Sequence, residues 1–507
     1  MGVVNGDEAD FVLDADLSRS TLRPWRINKP VNDEIGVRSI YESACGLTVS
    51  SLCHDYAEGV PGCNGRVFRS GDGPPMTATD ANAVSGQWTR LGFPANLPAP
   101  VLSAASVPSD PVSAQPHSVV YTLVNQFGEE SQPSLPSNAV MSDYSTALLV
   151  SGLPACDPAF QVKEIRIYAE RSGFVSGTEK TNEPDSGFFL KKIVSCGTSS
   201  ASFDLAGPGD MLETLDYMSP PEDLHSIAAW RSGQLSGLSG NLLWFSIKGK
   251  PHAWPADARM RFYGTAIRHL AGVQHGYVLT DEKPFVVQLQ SDCKGPRCHR
   301  GDHVDAPGIV SARSAAIYGD AVIYATKRGL QILNGFRSQE LNFWDQTSWQ
   351  QMRPDTMIGA VHDGCYFGFT ATAGFRLQLT GNPRTALTYL SERPTAIHAG
   401  KFDRLYLAEP TGVTRWNEGD AYKEALWRKD DIRTPYLAMG AARVLGGSAD
   451  VEVRHGNSAK AQALGLLPHA LVKRFAPYRA NTHGITIKTT EEVSRVDIAV
   501  GTVELDS

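Results

Sequence analysis

Ala321-Val-Ile-Tyr-Ala325, then Thr326-Lys-Arg-Gly329, then Leu330-Gln-Ile-Leu333 reads as a strand, a turn and a second short strand. Strands of the same character recur at Leu242-Leu-Trp-Phe245, Gly276-Tyr-Val-Leu279, Cys365-Tyr-Phe-Gly368 and Arg404-Leu-Tyr-Leu407. The anchors Leu243, Val278, Ile323, Tyr366 and Tyr406 stand 35, 45, 43 and 40 residues apart. Each anchor strand follows a polar or glycine-containing turn, such as Tyr318-Gly-Asp320 or His362-Asp-Gly364. A period near 40 with several short strands per unit predicts the blades of a β-propeller over 221–450. One blade cannot bury its two faces alone, so neighbours must pack radially. A second, larger sandwich is the alternative reading of the same repeat.

Working outward, residues 101–220 predict a fibronectin-like or immunoglobulin-like β-sandwich. Its clearest strands are Ser118–Val124 and Lys163–Ala169, where Ile165, Ile167 and Ala169 share one face. Residues 1–100 carry recurrent Pro, Gly, Ser and Asn and predict an extended arm that contributes strands, ending in the linker Leu97-Pro-Ala-Pro100. Residues 451–507 continue in β character and predict a segment that closes the propeller or packs on it. Within that segment Ser458–Leu467 has a helical pattern. The fold class expected is mainly β: a propeller, a sandwich and an N-terminal arm.

Composition bounds the function. The chain has 507 residues, 42% hydrophobic and 20% charged, with 47 Gly and 31 Pro. That length suits two to four domains with real cores and many turns. The net charge of −7 argues against tight nucleic-acid binding and leaves room for transient, non-specific contact with DNA. Met1–Asp16 holds five acidic residues and no basic one, unlike a secretory signal, so synthesis in the cytoplasm is expected. No apolar run reaches 18 residues, so no membrane insertion by this chain is expected. Eight cysteines are few for this length, and most are expected to be reduced and buried.

Catalytic signals are weak. Cys293-Lys-Gly-Pro-Arg-Cys-His-Arg-Gly-Asp-His303 is the best cluster: Cys293, Cys298, His299 and His303 could complete a tetrahedral zinc site. His299 follows Cys298 directly, which departs from the usual spacing, so a solvated loop between blades, free or linked through Cys293 and Cys298, is the reading preferred, with no metal or cofactor. Glu129 and Glu130 are adjacent; on a strand they would face opposite ways and could not flank one glycosidic bond. They are expected to form a polar hairpin tip. No Gly-x-Ser-x-Gly elbow occurs, and Gly446-Gly447-Ser448 lacks the lysine of a phosphate loop. Trp230, Trp244 and Trp254 are expected to fill a blade interface rather than stack on a ligand.

Several segments, in order along nearly the whole chain, resemble the tail nozzle proteins of short-tailed bacteriophages (podoviruses). They include Ser20-Thr-Leu-Arg-Pro-Trp-Arg26, Gly65-Arg-Val-Phe-Arg-Ser-Gly-Asp-Gly-Pro-Pro75, Leu91-Gly-Phe-Pro94 and Tyr121–Ser131. Further along come Gly237–Ser246, Lys250-Pro-His-Ala-Trp-Pro255, Ser311-Ala-Arg-Ser314, Val322–Leu330 and Val493–Leu505. The Cys- and His-rich segment 293–303 departs from that pattern. The resemblance implies a non-enzymatic virion protein, a homo-oligomer forming a hexameric ring below the head-to-tail adaptor. That ring extends the conduit for DNA ejection and neighbours the tail fibre, tailspike or needle. The competing expectations are a carbohydrate-binding or hydrolytic β-propeller and a receptor-binding tail component.

Overall fold

In the strand Ala321–Ala325 successive side chains point to opposite faces. Every one of the five is buried. Val322 and Tyr324 pack with Tyr277, Leu279 and Val286 of the preceding sheet, while Ile323 and Ala325 pack with Tyr366, Phe375 and Leu377 of the following one. The sheet is therefore apolar on both sides and needs a neighbour on each.

The same arrangement repeats through the computed structural model. It describes residues 9–17, 21–60, 65–105, 114–143, 146–171, 187–206, 209–289, 299–341, 343–380, 387–456 and 461–505. Strand accounts for 54% and helix for 5% of the protein, which is mainly β. Four-stranded antiparallel sheets begin at His225–Ala229, Ala266–Ala271 and Ala316–Tyr318. The four antiparallel strands from Ile358–His362 to Leu387–Leu390 continue through Phe11–Leu13, parallel to the last of them, into a ten-stranded sheet. A further sheet begins at Ala396–Ala399 and takes its fourth strand, Lys29–Asn32, from near the N-terminus. Another spans His54–Glu58 to Thr89–Arg90, and the hairpin Ser39–Ser43/Gly46–Ser50 stands beside it.

The first strands of these units touch in order. His54–Glu58 meets His225–Ala229, then Ala266–Ala271, Ala316–Tyr318, Ile358–His362, Ala396–Ala399, Ser39–Ser43 and His54–Glu58 again. This closed, propeller-like circuit has an apolar core at each junction. Pro30 is tolerated in the closing strand because that strand is the outer edge of its sheet, where a missing N–H costs little. Trp25 adds to the closure by packing on Trp416 at 4.8 Å between ring centroids.

Residues 101–206 interrupt the circuit between two of its neighbouring sheets. One three-stranded sheet contains Val101–Ala104, Leu148–Ser151 and Ser200–Phe203; the other contains Val119–Asn125, Val162–Arg171 and Gly187–Ser195. Both contribute to one core, including Leu102, Val150, Phe203, Tyr121, Ile165 and Ile167. The chain enters and leaves through a narrow neck. Ser219 Oγ accepts the Phe93 N–H at 2.8 Å and donates to the Phe93 carbonyl at 2.7 Å. A Cβ on Gly92 would lie 2.7 Å from Pro220, and Gly92 has φ +90°, so both the space and the backbone demand glycine there.

The C-terminal residues fold differently from the repeat expected up to 450. The strand Ala425–Gly446 pairs with Phe11–Leu13, Val472–Thr489 and Val493–Ala499, and the bent sheet closes over Trp427, Val444, Val451, Ile487 and Val496. Its three register shifts against Val472–Thr489 supply the bending. The N-terminal 100 residues also differ from an arm: 54–90 form a sheet of the circuit, and only short stretches reach out to pair elsewhere.

The helix expected at Ser458–Leu467 is a strand, Ala461–Leu467, paired with Ala449–His455; residues 457–460 lie outside the described residues. The helical spacing has a cause. The register slips between Val451 and Glu452, which sit opposite Gly465 and Ala463, leaving Leu464 as the extra residue. With Gly465 at φ +69°, the bulge lets Leu464 and Leu467, three apart, both turn inward. Cys156 and Cys196 form a disulfide with Cα atoms 5.8 Å apart. Cys45, Cys53 and Cys365 are free thiols, and Cys63, Cys293 and Cys298 lie outside the described residues.

If Lys29–Asn32 closes the circuit, removing residues 1–34 will strip hydrogen-exchange protection from Gly412–Arg415. Protection of Ala321–Ala325, remote from the cut, will remain. Unchanged protection at Gly412–Arg415 would mean that the closing pairing does not form in solution.

Candidate functional site

Of the zinc candidates, Cys293, Cys298 and the side chain of His299 lie outside what is described. His303 is described, and both of its ring nitrogens have partners. Nε2 accepts the Tyr263 N–H at 3.1 Å, and Nδ1 stands 3.2 Å from the Lys283 carbonyl. Its ring also packs on Phe285 at 5.1 Å. Metal binding by His303 would break one of those hydrogen bonds. The segment expected as a loop ends in the strand His299–His303, the fourth of its sheet.

Glu129 and Glu130 stand at a polar hairpin turn, as expected, but they are buried and half-buried and do not face opposite ways. They follow a tight turn after Val119–Asn125, and Asn125 builds it. Its Oδ1 accepts the N–H groups of Phe127 and Glu129, at 2.9 and 3.1 Å, and its Nδ2 donates to Glu129 Oε2 at 2.7 Å. Because the turn breaks the strand alternation, both carboxylates reach the same cleft. The cleft has a volume of about 620 Å³ and lies where the inserted unit meets the circuit. Glu129 is 8% exposed.

Across the cleft, Arg66 Nη1 donates to Glu129 Oε1 at 2.7 Å, and Nη2 donates to Thr77 at 3.1 Å. The guanidinium lies 3.8 Å from the Phe127 ring centroid. His252 Nδ1 stands 3.4 Å from Glu129 Oε1, an ion-pair distance and too long for a strong hydrogen bond. Burial alone would raise the Glu129 carboxyl; His252 and Arg66 outweigh it and hold it at about 2. Glu130 accepts from Thr122 at 2.6 Å, Tyr168 at 2.7 Å and Arg166 at 2.8 Å. Tyr217, Lys250, Asp210 and Glu213 also line the cleft. A carboxylate held ionised at about 2 cannot deliver a proton near neutrality, so Glu129 is unsuited to general-acid work.

A second cavity, about 320 Å³, lies among the first strands of the circuit. Tyr41 and Tyr56 stack in it at 5.0 Å. Tyr41 donates to Glu58, which also pairs with Lys401. Arg268 pairs with Asp55. Burial pushes His398 down to about 4, leaving a neutral ring, and its Nε2 accepts the Glu42 N–H at 3.1 Å. Glu42, 4% exposed, accepts from Tyr406 and from Arg404.

The tryptophans divide. Trp230 and Trp254 are fully buried at two different junctions, with indole N–H groups donated to Ser236 and to the Pro251 carbonyl. Trp244 is only partly buried, with Arg259 over its ring at 5.2 Å. Sequence reasoning missed Arg66 and His252 as partners of Glu129, although both stand in segments with recognisable turn chemistry. Their pairing spans distances in the chain that no local pattern encodes. It likewise missed Asp55, Arg268 and Arg313, whose shared signal is position at or beside the first strand of a sheet.

No family model matches the chain, and no curated protein matches it. Among solved structures, apo AztD from Citrobacter koseri aligns over 68% of this chain and 73% of its own, at 12% identity and a TM-score of 0.28. PorZ, a surface component of the type-IX secretion system of Porphyromonas gingivalis, aligns over 92% and 86%, at 8% identity and a TM-score of 0.27. Scores this low carry no conclusion about function.

The Arg66–Glu129 pair makes a signed prediction. Glu129 has a folded value of about 2 against an ordinary 4.5, so its contribution is complete above about 4.5 and is lost as pH falls towards 2. Arg66→Ala, which strands a buried carboxylate, is expected to cost about 3–5 kcal/mol in urea unfolding at neutral pH. Glu129→Gln should flatten the acid limb of stability between pH 4.5 and about 2. An acid limb identical to that of the parent would remove Glu129 from this role.

Proposed function

We propose that this chain is a structural protein of a short-tailed phage virion, a subunit of the tail nozzle ring through which DNA leaves the particle. On this reading the circuit is a β-propeller, residues 101–206 are an inserted β-sandwich, and the N-terminal stretches tie distant parts together. The protein makes and breaks no bond. It is made in the host cytoplasm, assembles as a homohexamer on the head-to-tail adaptor, and neighbours the fibre, tailspike or needle.

The observation that carries the reading is where the buried charges go. Glu129 joins the inserted unit to the circuit through Arg66. Asp55 joins one sheet of the circuit to another through Arg268, and Glu42 does so through Arg404. Lys423 ties Glu392 and Asp14 together ahead of the C-terminal sheet. Cross-links of this kind suit a part that must hold its shape while DNA passes. The ordered segments support the same reading: Leu91–Pro94 forms the neck with Ser219, and Gly65–Pro75 is a strand-turn-strand of the circuit.

Electron microscopy of the particle tests this directly, and a ring on the tail axis below the adaptor is the expected result. Purified protein should bind adaptor-bearing particles and not adaptor-free ones; equal binding to both would count against the reading. The acidic balance predicts a lumen that grips DNA weakly, so the free protein should bind duplex no better than about 10⁻⁴ M at physiological salt. Submicromolar affinity with a steep salt dependence would replace a passive conduit with active DNA holding.

A further inference from the structure

The central cavity is lined by two guanidinium groups and two carboxylates, and the carboxylates serve only one of the two guanidinium groups. Arg268 and Arg313 both line it. Asp55 pairs with Arg268, and Glu58 is taken by Tyr41 and Lys401. Arg313 has no carboxylate within ion-pairing distance among the described residues. Its guanidinium donates to two backbone carbonyls, Thr395 at 3.2 Å and Arg38. Burial foremost, and then the charges of Arg268 and Arg38, disfavour the ionised form of Arg313, with Cys53 and Asp55 acting the other way. Arg268 Nε is buried without a hydrogen-bond partner.

Two guanidinium groups gathered in a partly desolvated space repel each other, and folding tolerates this only at a cost. An oxyanion between them would relieve that cost, because guanidinium presents a planar fork of N–H donors matched to carboxylate and phosphate oxygens. The space of about 320 Å³ falls at the small end of ligand sites. Tyr41, Tyr56 and His398 wall it with rings, and the first strands that frame it are held by their own sheets.

We infer that Arg268 and Arg313 form the binding site for a small oxyanion, a phosphate or a carboxylate, in the central cavity of the circuit. Asp55 competes with that anion for Arg268. This competition gives the site a sign that a purely structural ion pair does not have.

The test is isothermal titration of the full chain with inorganic phosphate, with acetate and with chloride, all at one ionic strength. Phosphate or acetate should bind with a Kd below about 1 mM, while chloride shows no saturable heat. The tighter of the two oxyanions identifies the source chemistry. Asp55→Asn should tighten binding about tenfold and Arg268→Gln weaken it about tenfold, each with an unchanged circular dichroism spectrum. If a variant does not fold, the parent titration decides alone. Oxyanion heats equal to those of chloride, or a folded Asp55→Asn protein with unchanged or weaker binding, would overturn the site.

Discussion

The structure depends on sheets that are apolar on both faces. Val322 and Tyr324 look one way from their strand and Ile323 and Ala325 the other, and each pair meets a different neighbour. Isolated, such a sheet would leave two hydrophobic surfaces in water, at roughly 25 cal/mol for each Å² exposed. Adding a neighbour covers one face and creates another to be covered. Only a closed series ends this progression, and the contacts from His54–Glu58 around to Ser39–Ser43 form one. Closure then falls to the chain ends: Lys29–Asn32 arrives from the N-terminal side to complete the sheet of Gly412–Arg415.

Insertion of a second β-unit into a closed series is possible only where its two connections run side by side. The neck provides that place. Gly92 lets the incoming backbone approach Pro220, and Ser219 bonds to both polar groups of Phe93, so the two connections behave as one short double strand. The neighbouring sheets can then share the core of Phe68, Leu91, Leu235 and Trp254 as if nothing were inserted. A flexible neck would let the inserted unit swing; Glu129, gripped by Arg66, fixes its orientation.

The buried ion pairs differ from the apolar junctions in what they contribute. Desolvating two charges offsets much of their attraction, so pairs such as Arg66–Glu129 add little net stability compared with a well-packed apolar contact. They add geometry instead, since a carboxylate and a guanidinium in a dry site tolerate few other arrangements. The apolar faces make the units associate, and the charges select how they sit. The central cavity is the exception, because one of its two guanidinium groups, that of Arg313, donates to backbone carbonyls and meets no carboxylate among the described residues.

Much of this was legible in the sequence. Runs such as Ala321–Ala325 and Cys365–Phe369, with turns before them and a spacing near 40, specify short strands buried on both sides, because β-branched and aromatic residues fit a pleated surface and glycine fits the turns. The repeat also marked the radial packing. It did not reveal that 54–90 belong to the series, since proline and glycine blur the strands there, nor that Ala425–Gly446 leaves it. Local pattern misread Ala461–Leu467, where a bulge mimics helical spacing, and Glu129–Glu130, where a turn abolishes alternation. Tertiary structure alone decided that Arg66 meets Glu129, that Asp55 meets Arg268 and that Arg313 meets no carboxylate among the described residues. Strand formation is governed by neighbours a few residues away, which the sequence lists. Charge pairing is governed by which distant strands the closed series brings together, and that is fixed only once every face has found its partner.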